Sequence, residues 1–148
     1  MINKGMMSSN TDNWATPQAF FDELNKEFMF DVDVCASDSN YKVNRYWTKE
    51  DDGLSKEWKD VYCDGLYGQN PHCWMNPPYG REIGKWVKKA AQCGALVVGL
   101  LPARTDTKWF HDYIYGKAEI RFVKGRLKFG DSKNSAPFPS MVVIWRPK

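Results

Sequence analysis

The segment Asn76–Tyr79 reads NPPY, so an amide side chain, two prolines and an aromatic ring follow one another directly after an apolar run. Proline has no N–H to donate and restricts the residue before it, so this segment should be stiff and extended. The amide oxygen of Asn76 and the carbonyl oxygen of Pro77 can then converge on one exocyclic amino group. The ring of Tyr79 could stack on the flat ring that carries the amine. The alternative is a rigid turn that ends a strand, since Asn-Pro and Pro-Pro are common in turns.

The composition is that of one folded domain. A chain of 148 residues with 43% hydrophobic and 15% aromatic residues is long enough for a core and is not typical of a disordered protein. We expect residues 1–12 to form a flexible N-terminus and residues 13–148 a single domain. No apolar run approaches the ~20 residues needed to span a bilayer. The first residues also lack the pattern of a secretory signal, so we expect a cytoplasmic protein without a membrane partner.

The cysteines do not indicate a disulfide framework or a strong metal site. Four cysteines are present, but no C-x-x-C pair occurs. Cys63, His72 and Cys73 could in principle contribute to a zinc site, but ordinary buried or loop thiols are by far the more common explanation of such cysteines. We therefore expect no metal.

The helices and strands that must position Asn76–Tyr79 can be predicted from the periodicity of apolar residues and from the residues that typically start or end such elements. Thr16 as cap and Pro17 in the first turn predict the start of a helix through Phe28. A strand over FMFDVDVCA follows and ends near Asp33, and Val43–Thr48 is a possible short strand. Downstream the pattern predicts a helix over EIGKWVKKAAQCG, a central strand over ALVVGLLP, a helix over TDTKWFHDYIYG capped by Thr105 or Asp106, two strands in AEIRFVKGRLKFG joined near Lys124–Gly125, and a last strand over SMVVIW.

This alternation favours an α/β fold, an open three-layer sandwich whose mostly parallel sheet ends in an antiparallel C-terminal hairpin. Ligands of such sheets bind at the carboxyl ends of strands. Asp33, Asn76–Tyr79 and Pro102–Asp106 all fall at predicted strand ends, so we expect them to share one edge of the sheet.

Two groups of cations are candidates for nucleic-acid phosphate contacts. The net charge of +3 is too small to indicate such a partner by itself. The predicted hairpin carries the first group, Lys124, Arg126, Lys128 and Lys133, and the helix after NPPY carries the second, Arg81, Lys85, Lys88 and Lys89. Arg104 follows the central strand and could meet a phosphate or a carboxylate. The alternative for all of them is an ordinary solvated surface, because exposed lysines are common.

Several segments together resemble the phage DNA N-6-adenine-methyltransferase (Dam) family. They span almost the whole chain from Trp14 to Pro147, and they read WATPQAFFDELNKEF, DVDVCAS, EDDGL, NPPYGREIGKWV, LLPARTDTKWFHDYI, AEIRFVKGRLKFG and SAPFPSMVVIWRP. The resemblance implies a Rossmann-like methyltransferase fold, S-adenosylmethionine as cofactor and methyl transfer to the N6 amino group of adenine in double-stranded DNA.

The resemblance also implies roles for individual residues. Asn76, Pro77 and Pro78 would hold the target amine, and Tyr79 would stack on an adenine taken out of the duplex, where its amine becomes reachable. On the cofactor side it implies Thr16 and Pro17 for the methionine end and Asp33 for the amino group; Asp52 could hold the ribose or the adenine. For DNA we expect contacts from Arg81, Arg104, Lys124, Arg126 and Lys128. DVCASDSN departs from the glycine-rich turn of many methyltransferases, so Ala36 and Ser37 are not assigned as cofactor contacts, and the loop containing Asp64 has no assigned role.

Other functions fit the same motif. Methyltransferases that act on guanine N2 in RNA or on protein glutamine also use an Asn-Pro-Pro-Tyr motif, because both substrates present a planar amine. A nucleic-acid-binding protein that kept the fold and lost the activity is a second alternative. Because the chain is too short for a separate recognition domain, we expect a short target sequence or a homodimer.

Overall fold

A mixed sheet organises the part of the chain that the computed structural model describes, residues 14–63, 70–130 and 134–147. Within these residues the strands are β1 (Val32–Asp33), β2 (His72–Met75), β3 (Leu96–Pro102), β4 (Glu119–Phe122) and β5 (Ser140–Trp145). The helices are α1 (Gln18–Phe28), α2 (Ile83–Gln92) and α3 (Lys108–Tyr113). Short 3-10 turns occupy Gly53–Ser55 and Trp58–Asp60. The predicted α/β class is confirmed.

The strand order is β1-β2-β3-β5-β4, and β5 alone among the described strands runs against the others. β1, β2 and β3 pair in parallel, with α2 making the crossover between β2 and β3. β5 pairs antiparallel with both β3 and β4. The prediction of a mostly parallel sheet with an antiparallel C-terminal end is therefore confirmed.

The centre of the sheet is the core of the domain. Every residue of β3 and of β5 is buried, including Pro102 and Ser140 at their ends. Strands that are buried along both faces carry continuous apolar runs, which is why LVVGLLP and MVVIW lack alternation. The sequence prediction of a central strand at β3 is confirmed.

The helices lie where their apolar periodicity placed them, but two predicted caps are wrong. The α1 helix buries Phe21 and Leu24 and begins after Pro17 without any side-chain cap, since the Thr16 side chain bonds elsewhere. The α3 helix is capped by Thr107, whose Oγ1 accepts from Phe110 N at 3.3 Å, rather than by either preceding residue. No helix in the described part of the chain is long and apolar enough to cross a bilayer.

The chain bends at Lys124–Gly125 as predicted, with Gly125 at φ +76°, but the second strand predicted after this turn does not form. The chain leaves β4 at Phe122, and residues 123–130 form a loop in place of a second strand. Phe129 is buried in this loop, and Gly130 N donates to Ala15 O at 2.8 Å. These contacts hold the loop against the N-terminal segment, so β4 pairs with β5 instead.

The first strand is shorter than predicted. Only Val32–Asp33 pair as a strand, and the possible strand at Val43–Thr48 is reduced to a single bridge between Asp33 and Tyr46. Backbone hydrogen bonds join Asp33 to Arg45 and Trp47, and the Asp33 carboxylate accepts from the N–H groups of Cys35 and Lys42.

Candidate active site

A cavity of about 790 Å³ opens at the carboxyl ends of β1 and β2. Its wall is formed by residues 14–15, 34–37, 48–49, 52–54 and 76–78, with Asn40, Glu82 and Trp86. This volume lies in the range of small-molecule and cofactor sites. The position at the ends of parallel strands is the one expected for a ligand site in an open α/β sheet.

Asn76 follows β2, lines this cavity and carries an acceptor atom that is not used. Its Nδ2 donates to the carbonyl oxygen of Trp14 and to Thr16 Oγ1, the latter at 2.9 Å. Its Oδ1 is buried and has no hydrogen-bond partner among the described residues. Buried polar atoms are nearly always paired, so an orphaned oxygen at a cavity wall marks a position for a donor on a ligand. Pro77 and Pro78 continue the same wall.

The Tyr79 ring lies behind the wall. It is 3% exposed, and its hydroxyl donates to Leu100 O at 2.8 Å. The rings of Phe129 and Phe138 meet it edge-on, at centroid distances of 6.3 and 5.6 Å. Burial raises the pKa of Tyr79 well above its usual range, so the hydroxyl remains a donor. Stacking of this ring on a base stays a prediction.

Asp33 is buried at the end of β1 and organises the loop that forms one side of the cavity. Its oxygens accept from Cys35 N at 3.2 Å and Lys42 N at 3.0 Å. Burial raises the pKa of Asp33 from 3.8 to about 6, against the lowering effect of these two backbone hydrogen bonds. The residues that follow it, Val34–Ser37, line the cavity, whereas Asp33 does not. A direct contact with a cofactor stays a prediction.

Asp52 lies on the cavity wall in a strained backbone conformation. Its φ is +56°, which is uncommon for a residue with a side chain. Close packing of the next residue, Gly53, holds this backbone conformation. A Cβ on Gly53 would lie 2.2 Å from Val34 O and 3.1 Å from the Trp86 ring. The Gly53 carbonyl also accepts from Trp58 Nε1 at 2.8 Å. Strain fixed by close packing at a cavity is typical of a functional segment.

Thr16 and Pro17 do not line the cavity. Thr16 is 3% exposed, and its hydroxyl lies against the Asn76 amide. Pro17 is half-buried at the start of α1, where its carbonyl accepts from Phe21 N at 3.1 Å. Their predicted contact with the methionine end of a cofactor is untested.

Most residues of the wall were missed by the sequence interpretation, among them Lys49, Glu82 and Trp86. Glu82 and Trp86 lie at the beginning of α2 and Lys49 lies before the Gly53 turn. Trp86 could have been found, because it stands three residues after Ile83 on the apolar side of the helix. Glu82 and Lys49 carry no local signal, since both are charged residues in polar surroundings.

All five residues predicted to contact DNA, Arg81, Arg104, Lys124, Arg126 and Lys128, are exposed. Two of them also make intramolecular contacts. The Arg104 guanidinium lies 6.0 Å from the centre of the Phe138 ring, and Arg126 Nη1 donates to Ala136 O at 3.2 Å. Arg126 therefore supports the loop in which it lies. Lys133 and Asp64 fall outside the described residues.

The described residues contain no group of three His, Cys, Asp or Glu side chains placed to hold a metal ion. Cys73 is buried in β2, and His72 Nδ1 lies within hydrogen-bonding distance of the Phe28 carbonyl.

Comparison with known proteins identifies the family. A family model described as DNA N-6-adenine-methyltransferase (Dam) matches residues 4–148. The chain belongs to the Dam family. A DNA N-6-adenine-methyltransferase of Haemophilus phage HP1 is 30% identical over 159 residues, which cover 100% of this chain and 86% of the relative. A DNA N-6-adenine-methyltransferase of Escherichia phage T1 is 31% identical over 120 residues, which cover 78% of this chain and 46% of that protein. The Dam-family match thus includes both sides of the cavity and the loop after β4.

Proposed function

We propose that this chain transfers a methyl group from S-adenosylmethionine to the N6 amino group of adenine in double-stranded DNA. The observation that carries the proposal is that Asn76 lines the cavity and that its buried Oδ1 has no partner among the described residues. An acceptor held on a rigid Asn-Pro-Pro segment suits a ligand that brings an N–H donor. Membership of the Dam family favours the adenine amine over RNA guanine or protein glutamine.

Asn76 and Pro77 would act on the amine by hydrogen bonding. The Oδ1 of Asn76 and the carbonyl of Pro77 would each accept one N–H of the amino group. With both hydrogens held, the nitrogen lone pair is directed out of the base plane, where the methyl carbon can be placed. Positioning of this kind accounts for much of the rate of a two-reactant transfer. Pro78 keeps the two acceptors in fixed relation.

The cavity fits the cofactor in size and in charge. S-adenosylmethionine supplies an electrophilic methyl group on a positively charged sulfur atom. Asp52 and Glu82 bring two carboxylates to the wall, which suit hydroxyl, amino and cationic groups, and Lys49 suits a carboxylate. We assign the ribose or adenine to Asp52. We assign Asp33, Thr16 and Pro17 to the support of the surrounding walls and retain direct contact as the alternative.

The target base needs an aromatic surface next to Asn76. We assign this to Tyr79, which requires Phe129 and Phe138 to separate from its ring when the base enters. The base must also leave the duplex, at a cost of a few kcal/mol. Phe129 and Phe138 lie in the segment between β4 and β5, so DNA contact with that segment could be coupled to the opening.

The exposed cations would contact phosphates around this opening. We assign that role to Arg81, Arg104, Lys124, Arg126 and Lys128, which supply affinity but no sequence readout. The reaction would take place where phage or bacterial DNA is found, in the cytoplasm of the host cell. A homodimer would double the contacts available to a chain of this size.

The fold is proposed to be the Rossmann-like methyltransferase sandwich. The strand order with one reversed strand between β3 and β4 supports it, as does a cavity at the carboxyl ends of β1 and β2.

The test is methylation of adenine-containing DNA by the purified protein with labelled S-adenosylmethionine, followed by mass spectrometry of the nucleosides. We expect N6-methyladenine from the parent protein, and at least a hundredfold less from Asn76→Ala, because an acceptor used in the transition state is worth roughly 2.7–4 kcal/mol. The exposed Asn44→Ala is the matched control and should retain parent activity.

The outcomes separate the alternatives. Incorporation of label into RNA or protein but not into DNA would mean that DNA is not the substrate of this methyltransferase. DNA binding without any binding of S-adenosylmethionine by calorimetry would indicate a protein that has lost the activity. Parent-level activity in Asn76→Ala would contradict the role of the amide.

A further inference from the structure

The orientation of the Asn76 amide is set by the segment that precedes α1. We propose that Thr16 and the backbone carbonyl of Trp14 are positioning groups, which hold the amide so that Oδ1, and not Nδ2, faces the target amine. This inference rests on the proposed function and adds to it two groups that act through Asn76. It also gives Thr16 a different role from the cofactor contact implied by sequence resemblance.

The chemistry of the partners fixes the assignment of the amide atoms. A backbone carbonyl oxygen can only accept a hydrogen bond, so the atom of Asn76 that faces Trp14 O must be the donor Nδ2. Thr16 Oγ1 accepts from the same Nδ2 at 2.9 Å. The two contacts use both N–H groups and leave Oδ1 as the free atom.

Without these partners the Asn76 amide would be free to rotate by 180° about its last side-chain torsion. The last torsion of an asparagine side chain is broad and nearly two-fold, so a half turn costs little in itself. The turned amide would present N–H groups to an amine whose own N–H groups need acceptors. That orientation cannot hold the target, so each molecule in it would be inactive.

The positioning segment is itself held in place. Ala15 O accepts from Gly130 N at 2.8 Å, and the Trp14 ring packs edge-on against Phe129 and Phe138 at 5.5 and 5.1 Å. Thr16 is buried, caps no helix and does not line the cavity. Its described contact with Asn76 is therefore directed at the site rather than at α1.

The first experiment compares Thr16→Val, which keeps the shape and removes the acceptor, with Thr16→Ser, which keeps the hydroxyl. We expect kcat to fall about tenfold in Thr16→Val, the size expected for one buried hydrogen bond. Thr16→Ser should restore most of it. Calorimetry should give a Kd for S-adenosylmethionine within about twofold of the parent in both variants, whereas tenfold weaker cofactor binding with unchanged kcat would overturn the inference.

A spectroscopic measurement reports the orientation without turnover. In a ¹⁵N-labelled sample the Asn76 side-chain amide, assigned by its loss in Asn76→Ala, should shift and exchange faster with water in Thr16→Val. An unchanged Asn76 signal in Thr16→Val would show that the hydroxyl does not hold the amide.

A second variant tests the Trp14 carbonyl and does not depend on the folding of Thr16→Val. In Asn76→Asp an ionised carboxylate cannot donate to Trp14 O, whereas a protonated one can. The activity of Asn76→Asp relative to the parent should therefore rise as the pH is lowered from about 8.5 to 6, because burial raises the pKa of a carboxyl group. A constant ratio across this range would count against the carbonyl. Failure of the proposed function is distinguishable, because the parent itself would then form no N6-methyladenine.

Discussion

At the scale of single residues, Tyr79 illustrates how one side chain can serve both the site and the core. Its hydroxyl is tied to β3 through Leu100 O, and its ring is enclosed by Phe129 and Phe138. Large substitutions here would therefore lower stability before they report on the reaction. The useful variants are those that keep the ring.

We predict that Tyr79→Phe lowers the free energy of unfolding by about 1 kcal/mol, because one buried hydrogen bond is lost. Tyr79→Ala should lower it by roughly 3–5 kcal/mol, the cost of removing a buried aromatic ring. If the ring stacks on the base, Tyr79→Phe should keep most of the kcat. Urea unfolding and steady-state kinetics on the same samples measure both quantities, and a large loss of kcat in Tyr79→Phe would assign the reaction to the hydroxyl instead.

Asp33 gives a second prediction, for the dependence of stability on pH. Its pKa is about 6 in the folded protein, against 3.8 for the ordinary group. The folded state therefore binds the proton more tightly than the unfolded chain does. The stabilisation is fully present below pH 4 and is lost as the pH rises to about 6, by up to roughly 3 kcal/mol.

The measurement is urea unfolding between pH 3.5 and 7 of the parent and of Asp33→Asn. Other carboxyl groups contribute equally to both proteins, so the difference between the two curves isolates Asp33. We expect the parent to lose stability relative to Asp33→Asn between about pH 4 and 6. A constant difference would mean that the buried carboxyl does not titrate in this range.

At this scale the sequence indicated which residue types matter but not their partners. NPPY was sufficient to single out Asn76, because amide and proline chemistry is local. The partners of Asn76 are 60 and 62 residues away in the chain, and nothing in local periodicity indicates such contacts. For the same reason Thr16 was interpreted as a helix cap, which is the local role of that residue type.

At the scale of elements, the turn Asp52–Ser55 controls the shape of the cavity. Gly53 allows the backbone to pass Val34 O more closely than any side chain would permit. The turn thereby brings Asp52 and Leu54 to the wall.

We predict that Gly53→Ala destabilises the fold by about 1–3 kcal/mol, since the new methyl group overlaps backbone that cannot move aside easily. Binding of S-adenosylmethionine should weaken as well, because the wall is displaced. Gly84→Ala is the matched control: its Cβ would make an ordinary van der Waals contact with Trp109 at 3.8 Å, and it lies in α2, where alanine is the better helix former. Thermal melts and calorimetry compare them, and equal effects of the two changes would contradict the role of Gly53.

The elements themselves were predictable where the signal was long and apolar. β3, β5 and α2 were found because burial requires continuous or periodic apolar residues over several turns or ladder positions. The short extent of β1 and the loop after β4 were not predicted; in the loop, a backbone hydrogen bond from Gly130 to the distant Ala15 overrides the local β-propensity.

At the scale of the whole molecule, the exposed cations after β4 determine how the protein would meet DNA. Arg126 is a poor probe of this surface, because its loss would also free the Ala136 carbonyl. Lys124 and Lys128 are exposed, and a change at either carries less structural risk.

We predict that Lys124→Ala combined with Lys128→Ala weakens binding to all DNA sequences alike. The slope of log affinity against log salt concentration should become shallower by about 2, roughly 0.9 per lost phosphate contact. Fluorescence anisotropy with labelled duplexes at several salt concentrations measures it. The control pair is Lys26→Ala with Lys108→Ala, two exposed lysines paired with Glu23 and Asp112.

An unchanged slope in the first pair would remove the loop after β4 from the DNA-binding surface. The methylated sequence should be the same in all these variants, because phosphate contacts do not read bases.

The insertion of β5 between β3 and β4 has a consequence for protein synthesis. β3 is synthesised long before β5, which pairs with it on one side. β4 has no partner other than β5 in the described sheet. While the chain is still on the ribosome, β3 therefore exposes an unpaired, apolar edge and β4 stays unpaired until Ser140–Trp145 has emerged. A nascent chain stalled before Ser140 should be sensitive to protease and bound by chaperones, and release of a few more residues should complete the domain in a single step.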